Sequence, residues 1–395
     1  MASDDSKKNL KFLASLLLLY SMNIGIIITV IPLYSERLGA DDMTVGFTVS
    51  VYAAAYTATS LLWGKASDLF GRKLTLCIGM LCFSVTVFLF AFAHDPGQLL
   101  ILRLVGGLTD SSFWTVPTAI VADMYTSREM GTALGKVGTF QTIGFIAGPL
   151  LGGILVKAFN YRILFYICSV FILLITLLML FGIREKPRVF NRKNESATKA
   201  QLKFGEIMRG NFAIAYTNTA LSAICFGVIV SQFIITASKI LGSGTELFVG
   251  LLLSGYYVAQ AFIQAPIGKL SDVIGRRRVT VLGFVLCALG FFLLSFSSYL
   301  SFLLIAILII GGGMGALYVA VPAALMDKAP ASQRGLVSGF RNIGWGSGYF
   351  VGSTLGGLVA GYFVGAPFML CVVTSFLGSA ITLYGTRTEN LHVHA

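Results

Sequence analysis

The chain is poor in charge: only 12% of its 395 residues are Asp, Glu, Lys or Arg, against roughly 25% in ordinary soluble domains. That shortage excludes a cytosolic globular enzyme. Sequence signatures of several enzyme classes are missing too. There is no Walker A run to cradle ATP phosphates, no HExxH, no GxSxG and no cysteine array spaced for a metal. Six cysteines, Cys77, Cys82, Cys168, Cys225, Cys287 and Cys371, all fall in apolar runs without a CxxC pair, and read as packing residues. The His392-Val393-His394 tail reads as a solvated end. No cofactor is expected.

What is present is apolar residue in long runs. Hydrophobic side chains make up 56% of the chain, and the mean hydropathy is +0.83. The runs are unbroken over about 20 residues or more, the length of a helix across hydrocarbon, and lack the alternation of a transmembrane β-strand. Twelve segments emerge: 12–35, 43–63, 74–93, 98–122, 131–156 and 162–183, then 211–239, 246–267, 279–298, 300–325, 335–363 and 366–386. The fold class is therefore an all-α polytopic membrane protein. The first segment reads as helix 1 and not as a cleaved signal peptide: Asp4 and Asp5 precede it, the apolar stretch is too long, and no small-residue cleavage site follows.

A formal net charge of +12 raises the question of nucleic acid. The basic residues instead lie in alternate loops: Lys7, Lys8 and Lys11; Lys65, Arg72 and Lys73; Lys269 and Arg276 to Arg278. The opposite loops hold only Arg37, Lys157, Arg162 and Lys239. By the positive-inside rule both termini are cytoplasmic, the partner is a lipid bilayer, and nucleic acid is not expected. Arg184 to Arg209, with eight basic and three acidic residues, reads as a cytoplasmic linker. Residues 1–183 and 211–395 then form two six-helix bundles joined by 184–210.

The chain also repeats itself. Gly64-Lys65-Ala66-Ser67-Asp68-Leu69-Phe70-Gly71-Arg72-Lys73 is answered by Gly268-Lys269-Leu270-Ser271-Asp272-Val273-Ile274-Gly275-Arg276-Arg277, at an offset of 204. The same offset maps Tyr52 to Tyr256, Gly107 to Gly311, Asp123 to Asp327, Gly144 to Gly348, Gly148 to Gly352, and Gly152 and Gly153 to Gly356 and Gly357. Two like-oriented halves imply a central site near the midplane, reached by alternating access.

On these residues the chain resembles the major facilitator superfamily, and within it the twelve-helix drug:proton antiporters. The decapeptide from Gly64 matches motif A of that family; Arg103 with Gly107 resembles motif B; Gly144 to Gly153 around Pro149 resembles motif C, which the family associates with antiport. The resemblance implies a latch holding the halves together on the cytoplasmic side, made by Gly64, Asp68, Gly71 and Arg72 and repeated in Asp272 and Arg276. In motif C, Gly144, Gly148, Gly152 and Gly153 line one helix face for close packing, while Pro149 favours a bend. Ser353 replaces that proline in the second half.

Helix 4 carries Arg103, Gly107, Asp110 and Trp114 at the spacing of one face. Asp110 is the one acidic residue deep in a span, where a charge is costly and marks function. Arg103 stands seven residues away, about 10 Å along the axis, so its side chain is expected to approach the carboxylate directly or through water. The pair is the expected site of proton coupling, with a permanent ion pair as the alternative; the family does not supply a carboxylate at this position. Lys136 and Arg341, at similar depths in helices 5 and 11, form a candidate anion clamp or else snorkel to headgroups. Asn23, Tyr52, Tyr56, Phe113, Trp114, Asn218, Tyr256 and Gln260 complete the candidate substrate cavity. The expected activity is proton-coupled export of small amphipathic or drug-like molecules across the plasma membrane by a monomer. An organic-anion transporter using Arg103, Lys136 and Arg341, and a sensor that binds without transporting, stay open.

Overall fold

The computed structural model describes residues 4–125, 127–182, 210–242, 244–329 and 334–385. The expected linker therefore lies outside the described residues, apart from its last position, as does the His392-Val393-His394 tail. Among the described residues the long elements are all helices. The first six are α1 (Asp4–Arg37), α2 (Asp42–Phe70), α3 (Arg72–Phe90), α4 (Pro96–Met124), α5 (Ser127–Ala158) and α6 (Tyr161–Gly182). Next, α7 begins as Gly210–Val228, passes through a π-helical turn at Ile229–Phe233 and ends as Ile234–Leu241. The last five are α8 (Glu246–Ile274), α9 (Arg276–Ser295), α10 (Leu300–Lys328), α11 (Arg334–Ala360) and α12 (Ala366–Gly385).

Eleven spans in the described residues are long and apolar enough to cross a membrane. The remaining long helix, α11, is diluted by its glycines and by Arg341 and Asn342. Several helices outrun their apolar segments; α2 continues to Phe70 through the polar motif, because backbone hydrogen bonding propagates once a helix is nucleated.

Local chemistry sets the ends. Asp41 caps α2, its Oδ1 accepting from the Thr44 backbone N–H at 2.8 Å, and Asp95 caps α4 by accepting from the Gln98 N–H at 2.9 Å. The α2–α3 and α8–α9 turns each pivot on one glycine, Gly71 at φ 96° and Gly275 at φ 93°. A side chain is strained in that region, which explains why both decapeptides keep a glycine there.

Packing divides the helices. In the first half α1 packs along α5, α2 along α4, and α3 between α4 and α6; in the second α7 packs along α11, α8 along α10, and α9 between α10 and α12. The halves meet along two seams, α2 with α11 and α5 with α8. Large apolar side chains such as Ile101, Val85, Leu174, Phe181 and Phe376 are exposed, as a lipid-facing surface requires. Two faces follow from the up-and-down order: a motif face, with the α2–α3 and α8–α9 turns, and a distal face, with the α1–α2 and α7–α8 loops.

The seams are tight toward the distal face. A Cβ on Gly46 of α2 would stand 2.9 Å from the Gly357 Cα of α11, and one on Gly153 of α5 would stand 2.8 Å from the Leu247 Cα of α8. The Leu150 N–H, next to Pro149, donates across the seam to Ser254 Oγ at 3.1 Å. Lys239 at the end of α7 pairs with Asp42 at the start of α2 at 2.6 Å, and Gln232, in the π-helical turn, donates to the Asp42 carbonyl at 3.1 Å. Such turns tend to mark functional places in helices; this one delivers an amide to the opposite half.

Candidate functional site: the Asp110 cage and the seam between the halves

Asp110 is fully buried and holds three donors. The Tyr20 hydroxyl of α1 donates to Oδ1 at 2.5 Å, the Tyr52 hydroxyl of α2 donates to Oδ2, and the Trp114 indole N–H donates to Oδ2 at 3.1 Å. Gly107 makes this reach possible. It lets α4 lie on α2 at the Tyr52 carbonyl, where a Cβ would come within 2.8 Å of the Ala55 Cβ, and one turn later Asp110 meets the Tyr52 side chain. Tyr20 is held by stacking on Phe113, ring centroids 3.8 Å apart.

The expected direct approach of Arg103 to Asp110 is corrected. Its Nε donates to the Thr48 carbonyl at 3.3 Å, and its guanidinium carbon lies 4.1 Å from the centre of the Tyr52 ring. Tyr52 thus stands between the two charges, offering its face to the cation and its hydroxyl to the carboxylate. A desolvated cation–π contact is worth about 2 kcal/mol, which offsets part of the cost of burying the guanidinium. No ion pair joins Arg103 to Asp110 among the described residues.

Other expected positions divide sharply. Asn23 donates to the Cys168 carbonyl at 3.1 Å, and Asn218 donates to Thr382 Oγ1 at 2.9 Å. Both bonds tie helices of one half together, so these asparagines do not offer their amides to a central cavity. Phe113 and Tyr256 are fully buried, Phe113 against Tyr20 and Tyr256 against Tyr257. Gln260 is buried, Tyr56 half-buried. Lys136 is exposed while Arg341 is half-buried, so their matched depth does not give matched surroundings.

Beside the expected Trp114, aromatic residues that the sequence did not single out mark the seam. Trp114 stacks on Phe145 of α5 at 5.9 Å, and Phe145 stacks on Tyr257 of α8 at 5.3 Å, so a column of rings crosses from one half to the other. In the second half Trp345 lies 5.0 Å from Tyr318 and 5.5 Å from Phe226, and Phe226 lies 5.3 Å from Tyr349. Tyr257 follows Tyr256, the residue singled out by the repeat; the helical face decides between the two, and the offset alone does not.

Within each half the motif A arginine gathers two carboxylates. Arg72 pairs with Asp68 at 2.6 Å and with Asp123 of α4 at 3.2 Å, and Arg276 pairs with Asp272 at 2.6 Å and with Asp327 of α10 at 3.2 Å. Gly64 sits one turn before Ser67, whose hydroxyl donates to its carbonyl at 2.8 Å. These described bonds join α2, α3 and α4, or α8, α9 and α10, into one rigid corner. Asp123 and Asp327 were visible as a pair in the 204-residue repeat; their bond to the arginine needed the fold. Motif C is divided as well. A Cβ on Gly148 would come within 2.7 Å of the Gly25 Cα, one on Gly144 within 2.8 Å of the Met22 N, and one on Gly152 within 3.3 Å of the Ile26 Cα, all on α1. Only Gly153 of the four faces the other half.

Two like bundles, helices long enough for a bilayer, and buried polar groups beside the seam form the frame of a membrane transporter. The sequence profile of the Major Facilitator Superfamily matches residues 13–245 and 212–394, and the chain belongs to that superfamily. It is therefore a multi-pass membrane transporter of small molecules and not an enzyme. It is 27% identical over 381 residues to Multidrug resistance protein 1 of Bacillus subtilis (strain 168), covering 95% of this chain and 96% of that one. It is also 27% identical over 347 residues to the multi-drug resistance efflux pump PmrA of Streptococcus pneumoniae serotype 4, covering 86% of each. Among solved structures, a bacterial homologue of the human lysosomal transporter Spinster, in an inward-facing and occupied conformation, superposes with a TM-score of 0.84 at 14% identity, covering 98% of both chains.

Proposed function

We propose that the protein is a proton-coupled exporter of small amphipathic molecules, working as a monomer in the plasma membrane with both termini in the cytoplasm. The observation that carries the reading is the three-donor cage around Asp110. An ionised carboxylate only accepts hydrogen bonds, whereas a protonated one must also donate. Binding a proton there turns an acceptor site into a donor, so the Tyr20 or Tyr52 hydroxyl facing that proton has to rotate its own hydrogen away and accept instead. These three side chains sit on α1, α2 and α4, and Trp114 begins the ring column that reaches α8. Proton binding thereby rewires the bonds that tie α1 and α2 to α4 beside the seam, which is the physical link an antiporter needs. The drug-efflux relatives support the direction of transport and the amphipathic class of cargo.

The test is flux in proteoliposomes under an imposed pH gradient, with Asp110→Asn beside the unmodified protein. The expected result is loss of gradient-driven flux with downhill exchange retained. Gradient-driven flux that survives the substitution removes Asp110 from coupling. A second reading, organic-anion exchange, is favoured by one feature only: Arg341 has no carboxylate partner among the described residues.

A further inference from the structure

Arg341 stands seven residues inside α11, about 10 Å from its start at Arg334. Its one described hydrogen bond runs from Nη2 to the Asn342 side-chain oxygen at 3.0 Å, out of the five N–H donors a guanidinium carries. No ion pair among the described residues includes it. The acidic residues of the described second half lie at helix ends: Glu246 opens α8, and Asp272 and Asp327 pair with Arg276. The repeat offers no counterpart either, since position 137 is valine. Arg103, the buried arginine of the first half, is satisfied by a carbonyl and the Tyr52 ring; half-buried Arg341 is not.

Arg341 lines a small pocket with Thr219, Ser222, Tyr318, Pro322 and Trp345. Trp345 lies one helical turn beyond Arg341 on the same face, its indole N–H has no hydrogen-bond acceptor among the described residues, and its ring packs edge-to-face with Tyr318, centroids 5.0 Å apart. A cation drawn partly out of water gains from an anion beside it, and arginine suits a carboxylate, sulfonate or phosphate held by paired bonds.

We propose that this pocket takes the acidic group of an aromatic amphipathic substrate, with Arg341 and the Trp345 N–H holding the anion and the Tyr318 and Trp345 rings holding the apolar body. The inference rests on the reading of the chain as an exporter of amphipathic molecules and narrows it to acidic ones. Charge points the same way: with Asp110 ionised, Arg103 and Arg341 leave the polar centre of the molecule with one excess positive charge, which opposes a cationic cargo.

The test uses the purified full-length protein in phosphatidylcholine nanodiscs and two fluorescent probes of one shape, dansylglycine and its neutral amide. The acid should bind at least about tenfold more tightly, the effect of one charge-assisted hydrogen bond. Arg341→Gln should abolish that preference, Arg341→Lys should keep part of it, and Trp345→Phe, which removes the indole donor and keeps the ring, should reduce it. Thermal unfolding of each variant checks its fold, and the acid–amide comparison on the unmodified protein stands without any variant. Equal binding of the two probes overturns the inference, as does a preference that Arg341→Gln leaves intact. A preference erased by adding phosphatidylglycerol assigns the guanidinium to a lipid phosphate and also overturns it. Binding with the expected preference but no flux in proteoliposomes would defeat the exporter reading alone; flux without the preference would defeat this inference alone.

Discussion

A single methyl group at Gly153 should open the distal face. The Cβ of an alanine there would lie 2.8 Å from the Leu247 Cα and 3.0 Å from the Glu246 carbonyl carbon, both backbone atoms of the opposite half. Carbon atoms rest at about 3.5–4.0 Å, so α5 and α8 must part by roughly 1 Å. Overpacking of this kind costs about 1–3 kcal/mol. Alanine also stabilises a helix by about 1 kcal/mol relative to glycine, and the control must share that gain. Gly138, on the same helix, has nothing within 4 Å of the position a Cβ would take. Comparing Gly153→Ala with Gly138→Ala cancels the helix term and leaves a bias of about 1–3 kcal/mol against the closed distal seam, a factor of about 5–150 in the equilibrium between states. Spin labels at Met43 and Phe248, both exposed and one in each half, would report the separation by pulsed electron–electron resonance. Gly153→Ala should shift the distance distribution toward longer values and Gly138→Ala should not. Identical distributions for the two variants would refute the claim that this backbone contact sets the distal closure.

The Lys239–Asp42 pair is partly exposed, so Lys239→Gln should change the same distance distribution little, since such pairs are worth about 0–1 kcal/mol; Lys239→Glu, which sets like charges beside Asp42, should widen it, and restoring attraction with Asp42→Lys should close it again. At the α1–α2 loop, hydrogen bonds from the Thr44 side chain and backbone hold the Asp41 carboxyl below its usual range. A group depressed on folding contributes stability that is present above its unfolded pKa, about 3.9, and is lost as pH falls through the folded value. Thermal unfolding followed down through that window should therefore show a smaller acid-induced loss for Asp41→Asn than for the unmodified protein, and Asp41→Ala should cost about 1 kcal/mol at neutral pH.

Much of the fold was legible because its two governing signals are local. Apolar runs of bilayer length mark each helix, and the 204-residue offset marks the duplication. The ends were less legible: the polar residues of the decapeptide continue α2 to Phe70, and hydropathy ignores backbone bonding. The site was legible only in part. A carboxylate in a span stands out by its cost, so Asp110 and Arg103 could be found; which groups satisfy them could not. Tyr20 lies ninety residues from Asp110, and an apolar helix shows a tyrosine at that place as one aromatic among many. Asn23 and Asn218 misled for the same reason: a lone amide in a span looks the same whether it bonds a neighbour inside one bundle or faces a cavity.

The repeat also shows where the two halves have parted chemically. Position 314 is methionine where the first half has Asp110, and position 307 is isoleucine where it has Arg103. The backbone contact is kept, since a Cβ on Gly311 would come within 3.0 Å of the Ala259 Cβ much as one on Gly107 would crowd Ala55. Tyr256 is kept too, yet its buried hydroxyl has no partner, which is what the Tyr52 position becomes when the carboxylate opposite is replaced by a thioether that accepts hydrogen bonds weakly. An unsatisfied buried hydroxyl costs about 1–3 kcal/mol, and the second half bears that cost. The helix–helix frame is thus shared by both halves, while the buried carboxylate Asp110 belongs to the first and Arg341, without a carboxylate partner among the described residues, to the second. The Trp114, Phe145 and Tyr257 column links the Asp110 cage to α8 of the second half.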